Sequence, residues 1–374
     1  ETTEEAIVLP GEEETTQTPE TSEEETPADE ITLPTSEAPT LSIEEQIALA
    51  LESHSLTMED YRRLDQLVTA YISECNRGIL TLTVAVPDGN GGFASGEQEV
   101  TGALWMMTEK DGLILADYSQ LAGAKRFFVE SFNGNKIEGA LKAADERTGI
   151  AVIEVARTDL ETAGIFASDV LELGLSDIKT GGQSAIMLGS PYGVPYSVMS
   201  GQVVHLESEI SDADVAYKML YSDIPAVGGG FLINMSGQVL GMTAFPVTGD
   251  EKDGFCKFIS ISDLRDTIEN LANGRRIAYI GVLGEAVTQE RFEETGIPVG
   301  LYVSEVLQGS PAYISGIQGG DVIVAVNDTA IASMKDLQAA LNRIRPDQIV
   351  TIQVMRQGKD AYAQQTYELM AGAR

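Results

Sequence analysis

Side chains able to do covalent or metal chemistry are scarce in this sequence. It has two histidines, His54 and His205, and two cysteines, Cys75 and Cys256. Neither cysteine belongs to a C-x-x-C or similar metal-ligand spacing, which argues against structural zinc, and no cofactor is implied. The two thiols read either as small buried hydrophobes or as a single disulfide. Serine acyl transfer needs a base beside the nucleophile. His54 lies in a helical-pattern region, and His205 is most simply a residue on the surface of a strand. A Ser–Lys pair is open to Ser119 or Ser222 with Lys125 or Lys218, but no spacing singles one out.

The elements that must position these groups fall into blocks. Residues 1–40 hold thirteen acidic residues, no lysine or arginine and no apolar periodicity, the composition of a disordered acidic Glu/Thr/Pro tether. As a coil it spans on the order of 35 Å and fully stretched about 130 Å, so it suits either a spacer from a cell envelope or a solubilising tail. Over residues 41–77 apolar residues such as Ile47, Leu51, Leu64, Leu67, Val68 and Tyr71 recur at spacings of three and four. That predicts two short helices divided by a turn at 53–57.

After Gly78 the period switches to short strands, at 79–86, 103–107, 113–116, 127–131, 150–155, 184–188 and 201–206, broken by Gly, Asn and Asp. This predicts a closed or sandwiched all-β domain over 78–261. A linker helix capped by Ser262, running to Asn273 and stopped by Gly274, occupies 262–276. Residues 277–374 alternate strands with one clear helix at 334–343, a small α+β module. No tandem repeat is present.

With 374 residues and 43% apolar content the chain can build two or three cores. Its 58 acidic against 24 basic residues, a net charge of -34, argue against nucleic acid and anionic membrane surfaces as partners. No apolar run approaches the roughly 18 to 20 residues of a membrane helix, so no direct membrane insertion is expected of this chain. It begins at Glu1 rather than at a methionine, which suggests that a signal or anchor segment has been removed.

Three stretches of the β region, GALWMMTEKDGLILADYSQL at 102–121, LGLSDIKTGGQSAIMLGSPYGVPYSVMSGQVV at 173–204 and FLINMSGQVLGMTA at 231–244, resemble the trypsin-like domain of the HtrA serine proteases. The resemblance implies a mainly β fold: a double β-barrel followed by a small α+β PDZ domain, with short helices and the acidic tail. It also shows vacancies. Where active relatives carry the histidine, aspartate and serine of the triad, this chain has Ser119, Gly149 and Gly228. In subtilisin, losing the nucleophile or base costs about 10⁶ in turnover, roughly 8 to 9 kcal/mol of barrier. The run 228–230 reads as a tight turn, or as backbone N–H groups still facing a cleft.

The module at 277–374 independently resembles a bacterial PDZ domain, most specifically in GSPAYISGIQGGDVIVAVN at 309–327. There Pro311 starts a short helix, Gly316, Gly319 and Gly320 supply turns, and 322–326 form a core strand. A PDZ groove adds a peptide as a strand and receives its terminal carboxylate on loop N–H groups. Tyr279-Ile280-Gly281-Val282 resembles that carboxylate-binding loop, which places the donors at about Ile280 to Val282. The facing wall would be Leu337, Ala340 and Leu341, which share one helix face and serve either an apolar terminal side chain or ordinary core packing. Arg275 and Arg276 read as a solvated helix end or a weak attractor for carboxylates.

The expected function is that of an extracytoplasmic pseudoprotease, envelope-associated or secreted. It would bind peptide or protein C-termini, unfolded segments or an active paralogue, and the family implies a homo-oligomer. The competing reading is a serine endopeptidase with a relocated nucleophile.

Overall fold

The computed structural model describes residues 57–87, 93–121, 123–176, 181–225, 228–243 and 255–374. The acidic tether, His54, most of the 53–57 turn, and Ala226 and Val227 lie outside them. Helix α1 (Met58–Cys75) opens the described chain. Six antiparallel strands then close a barrel in the order β1-β2-β3-β6-β5-β4: β1 (Ile79–Pro87), β2 (Phe93–Met107), β3 (Asp111–Asp117), β4 (Arg126–Glu130), β5 (Lys136–Asp145) and β6 (Ile150–Ala156). Helix α2 (Arg157–Thr162) follows. A second six-stranded barrel closes as β10-β11-β12-β9-β8-β7, from β7 (Gln183–Gly189), β8 (Ser197–Asp212), β9 (Val215–Ser222), β10 (Gly230–Asn234), β11 (Val239–Met242) and β12 (Cys256–Ser260).

Closure removes both sheet edges and sends alternate side chains inward. The first interior packs Leu80, Leu82, Leu104, Ile114, Phe127 and Ile153, all essentially inaccessible to solvent. The second packs Ala185, Met187, Leu220, Leu232 and Phe258. A third cluster, with Leu115, Val152, Leu188 and Phe231, joins the faces where the barrels meet. That face positions the cleft expected to do chemistry.

Helix α3 (Arg265–Ala272) leads to the C-terminal module. Ser262 does not cap it. No side chain caps this helix, and the Ser262 hydroxyl instead accepts the Ser176 N–H at 2.6 Å, because a 3-10 turn over Ser262–Leu264 precedes the helix. The module's main sheet runs β14-β15-β16-β18-β19, from β14 (Val282–Val287), β15 (Gly300–Val306), β16 (Val322–Val326), β18 (Ile349–Gln357) and β19 (Tyr362–Met370). β17 (Thr329–Ala330) pairs with β16, and β13 (Ala278–Tyr279) pairs with β20 (Gly372–Ala373). Its helices are α4 (Gln289–Thr295), α5 (Pro311–Ser315) and α6 (Met334–Asn342).

Helix α5 shows the local logic. Pro311 takes the first turn, the Ser310 side chain accepts the Tyr313 N–H, and Gly316 ends the helix at φ 93°. Cys75 and Cys256 are both buried free thiols, so the chain has the first of the two arrangements open from sequence and not the disulfide.

Candidate functional site

The cleft between the barrels brings together the loops carrying Ser119, Gly149 and Gly228. Ser119 sits in a 3-10 turn directly after β3, beside the buried Asp117. Its N–H and hydroxyl both donate to Asp117 Oδ1, at 2.9 and 2.7 Å, and Gln120 Nε2 donates to Oδ2 at 2.8 Å. The Asp117 carboxylate is thereby committed to its own turn. Gly149 lies in the β5–β6 turn at φ 69°, and its carbonyl accepts the Tyr118 N–H at 2.8 Å.

Gly228 lies against the loop after β7, and its N–H donates to the Pro191 carbonyl at 2.9 Å. A Cβ added at Gly228 would overlap the Ser190 carbonyl oxygen outright and stand 3.3 Å from the Gly193 nitrogen. The Gly230 N–H donates to Thr243 Oγ1 at 2.7 Å. Two N–H groups of the glycine run are therefore spent inside the protein and do not point at a cleft. Thr101 Oγ1 and Ser190 Oγ pair across the barrels at 3.0 Å. The space left, lined by Thr101, Asp117, Gln120, Gly229 and Thr243, encloses about 10 Å³, the lower limit for one water.

The other nucleophile candidates have structural partners. The buried Ser222 hydroxyl donates to the Gln202 carbonyl at 2.9 Å. His205 is exposed on the outer face of β8, its ring 5.8 Å from that of Tyr221 and beside Val204 and Phe255. That is the strand-surface position. Among the described residues, no cluster of three or more His, Cys, Asp or Glu side chains could hold a metal.

The second site is the loop entering β14. Tyr279 ends β13, Ile280 and Val282 are fully buried, and Gly281 adopts φ 86°. A side chain at Gly281 would collide with Ser310, so the close approach of α5 requires glycine here. The N–H groups of Ile280, Gly281 and Val282 converge on one acceptor, as a carboxylate-receiving loop would. The acceptor is the side chain of Asp214, at 2.6, 2.6 and 2.9 Å.

Asp214 stands at the tip of the β8–β9 hairpin, in the short connection between the paired Asp212 and Val215. Its φ of 58° is a left-handed conformation that Asp tolerates better than most residues. It is fully buried, and its own N–H returns a bond to the Val282 carbonyl at 3.0 Å. Burial pushes its carboxyl above the usual range, against the pull of the Val282 and Gly281 amides, Arg374 and the Ile280 amide.

On the facing wall, Leu337 and Leu341 are fully buried and Ala340 is 6% exposed. They pack in the module's core together with Ala216 from the hairpin. The Ala216 N–H donates to Gln338 Oε1 at 3.0 Å. Arg275 and Arg276 are exposed. The sequence reading missed Asp214, Ala216 and Gln338. Its only signal was SDADV, an acidic turn between two runs of strand formers.

A PDZ family model matches residues 278–364. The chain is 29% identical over 274 residues to a DegP-like periplasmic serine endoprotease of Hahella chejuensis, covering 71% of this chain and 56% of that protein. It is 27% identical over 305 residues to the serine protease Do-like HtrA of Lactococcus lactis, covering 74% and 73%. The chain thus spans little more than half the length of the DegP-like relative. Among solved structures, the HtrA-type protease AlgW with decapeptide superposes with a TM-score of 0.57 at 19% identity, covering 82% of this chain and 98% of that one. The serine endoprotease from Yersinia pestis gives 0.54 at 20% identity, with coverage of 82% and 98%. With two closed barrels, a PDZ module and these relatives, the chain is similar in sequence and in fold to the HtrA/DegP trypsin-like serine proteases that carry a PDZ domain.

Proposed function

We propose that this chain is an extracytoplasmic, HtrA-like pseudoprotease that binds peptide C-termini or unfolded segments through its PDZ module, as an adaptor, regulator or quality-control scaffold. One observation carries the binding half of this reading: the N–H groups of Ile280, Gly281 and Val282 do receive a carboxylate, that of Asp214. A loop that holds one carboxylate on three donors has the chemistry to hold a chain terminus. Leu337, Ala340 and Leu341 supply the apolar wall for its last side chain. The relatives' periplasmic names support the location.

The non-catalytic half is supported by Ser119, Gly149 and Gly228 at the triad positions. None of the three offers a nucleophile with its base, and the first is tied to Asp117. Peptides, unfolded proteins or an active paralogue are the partners this reading names, with the chain as a homo-oligomer.

The test is binding of the 277–374 module, checked for folding by circular dichroism, to a library of peptides with free C-termini, repeated with amidated termini. Micromolar binding, about -8 kcal/mol, that amidation abolishes is the expected result. No binding in either form overturns the peptide-receptor reading. Serine-directed fluorophosphonate labelling of the pure chain would instead support an endopeptidase with a relocated nucleophile.

A further inference from the structure

We propose that the tip of the β8–β9 hairpin is a resident occupant of the PDZ carboxylate loop, so that a peptide C-terminus binds only by displacing Asp214. The proposal rests on reading the loop as a peptide receptor, and adds how that receptor is controlled.

Four features of the hairpin match what an incoming peptide would supply. Its carboxylate takes all three convergent amides, those of Ile280, Gly281 and Val282. Its backbone N–H pairs with the Val282 carbonyl at 3.0 Å, the main-chain contact of an added strand. Ala216 fills the apolar space against the wall of α6, where it is 1% exposed. The Ala216 N–H is bound by the Gln338 side chain at 3.0 Å, from the same helix. Ala216 packs with the PDZ residues, while its neighbours Val215 and Tyr217 pack in the cluster where the barrels meet and anchor the hairpin there.

The hairpin is also an incomplete ligand, which makes it displaceable. Gln338 is 3% exposed, and its Nε2 has no hydrogen-bond partner while Oε1 holds Ala216. A buried donor left unpaired weakens the closed arrangement, and a peptide carbonyl beside α6 would satisfy it. The burial that lifts the Asp214 carboxyl above its usual range acts in the same direction. Arg374 braces the tip from the other side. Its Nη1 donates to the Ala213 carbonyl at 3.4 Å, and its Nε lies 3.3 Å from the buried Asp145. The ligand class is a chain terminus with a free carboxylate and a small apolar residue, since Ala216 is what the space beside Leu337 and Leu341 now holds.

The experiment compares the full chain with its Asp214→Asn and Asp214→Gly variants. The probe is a set of fluorescein-labelled decapeptides ending in Ala, Val or Leu, read by fluorescence anisotropy, with amidated copies as controls. Glycine accepts the left-handed backbone at this position, so Asp214→Gly removes the carboxylate without imposing strain. The expected result is binding at least about tenfold tighter to Asp214→Gly than to the unaltered chain, lost on amidation. Such a ratio corresponds to about 1.4 kcal/mol.

Equal, amidation-sensitive affinity for the unaltered chain and both variants overturns the occupancy proposal and leaves the peptide-receptor reading standing. No binding by the chain, the variants or the 277–374 module overturns both. A second measurement needs no substitution. At saturating peptide, hydrogen exchange at the Asp214 and Ala216 amides should accelerate at least about tenfold while those of Ile280, Gly281 and Val282 stay protected. Unchanged exchange at Asp214 with peptide bound would refute displacement.

Discussion

The family resemblance sets Gly228 against a nucleophile, and the packing around it makes a sharp prediction. Gly228→Ser adds a Cβ that overlaps the Ser190 carbonyl oxygen and stands 3.3 Å from the Gly193 nitrogen. Both are backbone atoms, so no side chain can rotate out of the way. Relief requires the Ser190 loop or the glycine run to move, which breaks the 2.9 Å bond from the Gly228 N–H to the Pro191 carbonyl. Forced overpacking costs about 1–3 kcal/mol, and the lost hydrogen bond about 1 kcal/mol more. The expected destabilisation is therefore about 2–4 kcal/mol, or roughly 4–16 °C in Tm for a domain of this size.

Gly229→Ser is the control, because a Cβ there meets only Gln120 Nε2 at 3.5 Å and Thr243 Oγ1 at 3.7 Å, ordinary contacts. It should stay within about 0.5 kcal/mol of the parent chain. Restoring all three residues, with Ser119→His and Gly149→Asp added, also places a side chain at φ 69°, at a cost of about 1–2 kcal/mol. Melting followed by circular dichroism, with casein cleavage and fluorophosphonate labelling on the same samples, reads both consequences: a lower Tm and no hydrolysis. A Gly228→Ser chain that melts with Gly229→Ser and labels at position 228 would refute the reasoning, since the slot would then be an open nucleophile site.

Two further outcomes follow from buried titratable groups. Burial pushes the Asp263 carboxyl up, but the Lys335 ammonium at 2.9 Å and the Lys218 N–H at 3.0 Å outweigh it and hold the group below its ordinary 3.8. A folded-state value below the unfolded one stabilises above about pH 4, and that contribution disappears as pH falls through the depressed value. The parent chain should lose more stability between about pH 5 and pH 3 than Asp263→Asn, and identical denaturant midpoints across that range in the two proteins would contradict it. Burial also pushes the Cys256 thiol up to about 11 and raises Cys75. At pH 8 only about one Cys256 in a thousand is then thiolate, so iodoacetamide should label it far more slowly in the native chain than in guanidinium; equal rates would show that the thiol is not sequestered.

Much of the fold is legible in the sequence because its signals are local. The unbroken apolar runs from Leu113 to Ala116 and from Ile150 to Ile153 find β3 and β6, since a short apolar run bounded by turn residues fits a strand buried on both faces. Pro311, Gly316 and Gly320 place α5 and its turns because their backbone angles are dictated by residue type. Strand β5 went unread. In KIEGALKAAD only Gly139 and Asp145 are fully buried, so no clean alternation marks it. The polar ESEISD end of β8 is equally silent from its composition, and its pairing with β9 is what makes it a strand.

The triad comparison is made in one dimension, where the resemblance sets Ser119, Gly149 and Gly228 against a histidine, an aspartate and a serine. What the sequence determines is therefore the set of elements, the family motifs and the residue types at each position, all set by neighbours within a few residues. Only the tertiary structure decides that Asp214 meets Ile280, 66 residues away, and that Gly228 lies against the Ser190 backbone. Apolar periodicity says which face of a strand or hairpin is buried. Which other surface buries it depends on how two barrels and a PDZ module close on one another, and no local pattern encodes that meeting.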